Sequence, residues 1–362
     1  MKTTPWAVLL CALIAACALN AQPASGSASA PVYDTLGPVN PQLTQEAIAY
    51  YRKLAAPLAG IKQANYTYLQ AITKLRRAKT VEKKRQELLK ALQSTKEAFK
   101  GLSSFNNDST LKSEFVGYLD LVSIVLKQDF GKILDMEDIA AQTYDQAEAH
   151  QLALDLAVNK LNASFDVVKK VENEFFKKYR ITAKDEKDEL TLKIEKANKA
   201  LKYYDAIYRI FYKVNKEDNY AREAVSKKDV AALEQHATTL ISFSEEGLKQ
   251  LKEKTAYEGD DELLENAVKL IELYRLEAQV TYPANVEFSI KSDNFQKSIR
   301  KINSIKEGER KKEDVDEYNN EVNLFNKAVK EINKINKTSY GLQKYLIKTW
   351  NKLAEDFMKK HA

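Results

Sequence analysis

The chain has 362 residues, 44% hydrophobic and 30% charged, and its 57 Lys and Arg against 51 Asp and Glu leave a net charge of +6. That is apolar material enough for a sizeable core, in two domains or one elongated one, while so even a charge mixture excludes the concentrated positive face of a typical nucleic-acid binder. Both cysteines, Cys11 and Cys17, fall in the first 17 residues, so the body has no disulfide framework, cysteine-bound zinc or cysteine nucleophile.

Lys2, an apolar run from Trp6 to Leu19 and the small residues behind it predict a secretory signal peptide over residues 1–21. The run is shorter than the ~20 residues that a permanent transmembrane helix needs. Two exits are open. Leu19-Asn20-Ala21 before Gln22 resembles an ordinary signal-peptidase site. Ile14-Ala15-Ala16-Cys17 resembles a bacterial lipobox, in which Cys17 is lipidated and becomes the first mature residue. The lipobox is preferred, because a cysteine behind two alanines is unusual by chance in such a run. Residues 22–41, rich in Pro, Ala and Ser, have too little apolar surface to pack and are expected to form a flexible tether. A lipid-anchored domain needs such a tether, and a soluble secreted protein tolerates one.

Beyond Pro57 the only proline is Pro283, and glycine is nearly as scarce. Proline breaks helices and glycine costs about 1 kcal/mol in a helix interior, so the body is expected to be all-α. The expectation is long antiparallel helices in two tandem bundles, residues 42–187 and 188–362. In the first, Ile48, Tyr51, Leu54, Leu58 and Ile61 recur at helical spacing, with a kink at Pro57. A second helix runs from about Thr80 to Leu102, and a third starts near Ser109 or Thr110 after the loop from Ser103 to Asp108. A fourth, from near Met136, carries Leu154, Val158, Leu161, Phe165 and Val168 in alternating steps of four and three, the seam of a coiled coil. Arg180 to Asp188 has no apolar period and marks the internal boundary.

The second bundle opens with Ile194, Ala197, Leu201, Tyr204, Tyr208 and Phe211 on one face. Helices are predicted over Val230 to Lys254 and Asp260 to Thr281, then a break at Tyr282-Pro283, then Ser289 to Ile305 and a charged turn through Gly308. The last segment, Val315 to Lys360, carries apolar stripes at Val322, Phe325, Val329 and Ile332 and at Leu346, Trp350, Leu353 and Phe357. Between them the stripe positions hold Asn336, Ser339 and Gln343 beside Gly341, which predicts a turn or a loosened helix. Several segments recur in the same order: Ala49-Tyr50-Tyr51 as Lys202-Tyr203-Tyr204, Asn65-Tyr66 as Asn219-Tyr220, Ala98–Leu102 as Ser244–Leu248, and Glu174–Tyr179 as Asp356–His361. The shared order points to an internal duplication.

Reactive constellations are scarce. His150 and His236 each follow a glutamate, Glu148 and Glu234, by two residues, which places the side chains on opposite helix faces. The Glu-x-x-His spacing of a di-iron bundle would need glutamate at Ala147 and Leu233, and His361 is terminal. No two glycines lie within ten residues of each other, so phosphate-cradling loops and nucleophile elbows are missing. No cofactor or metal is expected. The carboxylate runs Glu137-Asp138 and Asp260-Asp261-Glu262 start predicted helices, where they suit the helix dipole, and a paired-carboxylate hydrolase ranks third among the functional readings. Tyr203, Tyr204, Tyr208 and Tyr212 around Phe211 read as core and rim packing. Lys327, Lys330, Lys334, Lys337, Lys344, Lys348 and Lys352 form a stripe at steps of three, four and seven. It is either a solvated helix face or a docking face for an anionic surface.

Three segments carry a resemblance: Ile139-x-x-Gln142-x-Tyr144-Asp145-x-Ala147-Glu148-Ala149, Phe175-x-x-x-Tyr179, and Tyr318-Asn319 with Phe325-Asn326. With the leader and tether, they make the chain similar to helical bacterial surface lipoproteins, the YiiG-like and leptospiral-type groups with domains of unknown function. The resemblance implies an envelope location, and it supplies no catalytic residue. The expectation is an exported, non-catalytic cell-envelope protein, anchored through Cys17 or alternatively soluble in the periplasm or secreted. It would bind an envelope protein or anionic envelope polymer through helix surfaces and would have no nucleic-acid partner. The alternative is a carrier holding a small apolar or aromatic ligand between helices.

Overall fold

The computed structural model describes residues 20–23, 40–74, 78–128, 144–184 and 187–362. Cys17, most of the expected tether, Glu137-Asp138 and the helix start near Met136 lie outside the described residues. The fold is all-α. Its helices are α1 (Pro41–Ala55), α2 (Leu58–Thr73), α3 (Ala78–Lys100), α4 (Thr110–Gln128) and α5 (Tyr144–Lys178), followed by α6 (Glu189–Lys227), α7 (Val230–Lys252), α8 (Glu262–Leu276), α9 (Tyr282–Ser304) and α10 (Lys312–His361). The chain divides into two compact units, one of residues 206–354 and the other of the described residues before 206 together with 355–362. The division falls within α6 and within α10.

Local chemistry sets the helix ends. Asn40 caps α1, its side-chain oxygen accepting from the N–H groups of Gln42 and Leu43, with Pro41 at the first position where no donor is needed. Asp229 caps α7 by accepting from the Ala232 N–H. At Pro57 the hydrogen-bond ladder is interrupted between α1 and α2 while Ala56 and Pro57 both keep right-handed helical backbone, which is the kink expected from sequence. Residues 181–184, read from sequence as structureless boundary, instead form a strand β2 (Ile181–Lys184) antiparallel to β1 (Asn20–Pro23). Arg180 ends α5 in the left-handed region at φ 55, and the β-branched Ile181 and Thr182 then favour extended backbone.

In the unit that holds the first five helices, Tyr51, Leu54 and Ile61 are buried with Leu88, Leu92, Phe99, Phe115, Leu161 and Val168. The seam residues Val158, Leu161 and Val168 of α5 are thus core. In the 206–354 unit, Tyr208, Phe211, Tyr274 and Trp350 make the aromatic centre, with Phe211 5.1 Å from Trp350 and 6.3 Å from Tyr274. Tyr204 and Tyr208 are core residues of their own units, which fits the packing role read from their spacing.

The two halves of the sequence share a supersecondary unit. Helices α3 and α7 have 23 residues each, and Ala78 and Val230, Lys100 and Lys252 are 152 positions apart. After each comes a tight turn closed by an isolated antiparallel bridge, Phe105 with Asp108 and Tyr257 with Asp260, again 152 apart. Both central residues of each turn are left-handed: Asn106 and Asn107 in the first, Glu258 and Gly259 in the second. This register corrects one match expected from sequence. Ala98–Leu102 corresponds to residues 250–254, not to Ser244–Leu248. The two glycines that suggested otherwise do different work: Gly101 follows the end of α3, whereas Gly247 is buried within α7. A Cβ there would stand 3.2 Å from both Ile210 Cγ2 and Ile271 Cδ1.

Two further expectations are overturned. No break occurs at Tyr282-Pro283, because a π turn over Glu277–Thr281 joins α8 to α9. The Tyr282 N–H bonds to the Glu277 carbonyl, and Pro283 follows directly, so the wide turn falls where proline cannot donate to a regular α ladder. Likewise α10 runs unbroken past Gly341. Asn336, Ser339 and Gln343 stay on its inward face because each has a polar partner there.

Candidate functional site

Helix α6 places Asp218 and Arg222 one turn apart, at a spacing that faces them the same way. The Arg222 Nε donates to Asp218 Oδ2 at 2.7 Å, and its Nη2 donates to Glu277 Oε2 at 2.6 Å. Glu277 opens the π turn, a type of helix irregularity that recurs at functional sites. The Ser339 hydroxyl of α10 donates to Glu277 Oε1, and the Tyr282 hydroxyl of α9 donates to Asp218 Oδ1. Gln343 Nε2 adds a bond to Asp218 Oδ2 at 2.8 Å. One turn before Ser339 on α10, Asn336 exchanges amide bonds of 2.9 and 3.1 Å with Asn285. Three helices and the π turn are thereby tied by one polar network inside the 206–354 unit.

The electrostatics follow from burial. Asp218 is 0% exposed and Glu277 1% exposed, so both carboxyls are out of water and share one guanidinium. Burial first, and then the charge of Asp218, push the Glu277 carboxyl up to about 7, with Arg222 pulling the other way. The same two causes, burial and Asp218, raise the hydroxyls of Tyr274 and Tyr282. Burial pulls the Arg222 guanidinium down, but Asp218, Tyr282 and Glu277 outweigh it and hold the proton more firmly than usual.

Glu277 and Ser339 also line a cleft of about 500 Å³ between the α8–π-turn segment and α10. Leu273, Leu276, Val280 and Thr281 form one wall, and Glu331, Lys334, Ile335, Thr338 and Leu342 form the other. The cleft is mainly apolar, and Leu276, Val280 and Leu342 stand about half exposed, at 53%, 52% and 45%. Large apolar side chains clustered open to water around a concavity mark a site that takes something up.

All seven lysines of the predicted stripe are exposed on α10 and fall within an arc of about 100° of the helix. Lys334 lines the cleft. The Nδ1 atom of His236 lies 2.8 Å from Glu217 Oε1, and His361 is buried against Phe357. The side chain of His150 and all of Cys17 lie outside the described residues. Among the described residues no group of three His, Cys, Asp or Glu converges as a metal site, and no helix is long and apolar enough to cross a membrane.

Sequence reasoning missed the meeting of Asp218 with Glu277 and Tyr282, about 60 residues further along the chain, all unremarkable singly. The usable signal was the polar run Asn336, Ser339 and Gln343 in an apolar stripe, a sign of buried polar partners somewhere else. Comparison with protein-family models, with curated proteins and with solved structures finds no match. The resemblance to helical surface lipoproteins therefore stands on the quoted residues alone.

Proposed function

We propose that this chain is a non-catalytic binding protein that holds a small apolar ligand between helices, in the cleft of the 206–354 unit. The observation that carries the reading is the cleft itself. Its volume of about 500 Å³ suits a small molecule, and its half-exposed Leu276, Val280 and Leu342 lose contact with water only when something fills it.

A carboxyl held near neutral pH beside a cleft is also what a general acid or base requires. Here each of the four oxygens of Asp218 and Glu277 already accepts from Arg222, Gln343, Tyr282 or Ser339. Those bonds hold helices together, which favours binding over catalysis. The leader and the tether supply the rest of the reading: export to the cell envelope and attachment through Cys17.

Native mass spectrometry of the protein purified from its own host, under gentle conditions, tests the binding function. A bound small molecule is expected on the unaltered chain, and its loss is expected on Leu342→Asp. A clean apo mass, or retention of the molecule by Leu342→Asp, would refute the cleft as the ligand site.

A further inference from the structure

We infer that the ligand of the cleft is a single-chain anionic amphiphile, a long-chain carboxylate whose chain lies among Leu276, Val280 and Leu342 and whose headgroup meets Lys334. This deepens the binding reading above and rests on it. At the floor, the Ser339 hydroxyl and the Arg222 guanidinium already occupy both oxygens of Glu277, so no free charge is offered to a ligand's polar end. Burying an unpaired headgroup there would be costly. The polar end therefore belongs at the rim.

Two charged side chains stand at the rim, Glu331 and Lys334. Glu331 stands one turn before Lys334, and Lys291 of α9, which feels its charge, is itself paired to Glu287 at 2.7 Å. Lys334 forms no ion pair with any described residue. Lys330 and Lys337 stand one turn before and one turn after it on the same exposed face of α10. Lys330, Lys334 and Lys337 outnumber Glu331 on this side of α10, and an apolar slot beside a net positive helix face complements a chain with an anionic head. A cationic amphiphile would set its head against Lys334, and a neutral alcohol would gain chain burial but nothing from the rim.

The full-length protein is titrated calorimetrically with dodecanoate, dodecan-1-ol and dodecylammonium, each kept below its aggregation threshold. Dodecanoate is expected to bind one per chain, about tenfold or more tighter than the other two. Lys334→Glu should erase that preference, whereas Lys348→Glu should change affinity by no more than about twofold, being about 21 Å further along the helix. Both lysines are exposed, so the variants are expected to fold, and circular dichroism checks this. Equal affinity for the three probes, or no effect of Lys334→Glu, overturns the anionic headgroup while the cleft still binds chains that Leu342→Asp rejects. Failure of all three probes to bind, or binding that Leu342→Asp leaves unchanged, overturns both the headgroup and the cleft.

Discussion

Glu277 sits in an environment unlike that of its sequence neighbours. It follows Leu276, which is half exposed, yet it is itself 1% exposed, because it falls one turn after Leu273 and Tyr274 on the buried face and meets Arg222 there. Its folded carboxyl titrates near 7, above the usual carboxylate range, so protonation favours the folded state. The stability gained from this group is full below about pH 4.5 and is lost as pH rises through about 7. Comparing wild type with Glu277→Gln by urea unfolding should therefore show wild type losing relative stability between pH 5 and pH 8. The loss should be of order 3 kcal/mol, since one pKa unit is about 1.4 kcal/mol. A constant difference across that range would show that Glu277 stays ionised in the fold. Asp218, Arg222, Tyr282, Ser339 and Gln343 are the other polar members of the network. Ser339 and Gln343 stood out as polar breaks in an apolar stripe, but Asp218 and Arg222 did not, because an i,i+4 Asp–Arg pair reads as a surface ion pair until its third partner arrives from another helix.

At the level of elements, periodicity located most helices to within a few residues, since α3, α4, α7 and α10 begin close to where their stripes begin. Two of the failures share one cause. Pro283 and Gly341 are punctuation in sequence, but one sits where a helix restarts after a π turn and the other on an exposed face of α10. The glycines make the difference measurable. Gly117, exposed in the middle of α4, has nothing within 4 Å of an added Cβ, so Gly117→Ala should stabilise by about 0.5–1 kcal/mol. Gly247 is wedged against Ile210 and Ile271, so Gly247→Leu should destabilise by about 1–3 kcal/mol through overpacking. Thermal and chemical unfolding of the two variants would check both signs, and equal effects would contradict the packing described for α7.

For the whole molecule, the proposed place of action follows from the first residues of the chain and the proposed action from residues 206–354. Cys17→Ala should move the protein from the membrane fraction to the soluble fraction in its host, with cleft binding unchanged. Recovery of the unaltered protein in the soluble fraction alone would remove the lipid anchor from the reading. The amino-acid sequence by itself determined that the chain is all-α, where its long helices run and which stripes they bury, because scarce proline and glycine and a helical apolar period are local properties. Only the tertiary structure decided that Asp218, Arg222 and Glu277 meet in one buried network beside an open apolar cleft. That meeting joins positions up to 125 residues apart, from Asp218 to Gln343, and no local period encodes which polar side chains converge when helices pack.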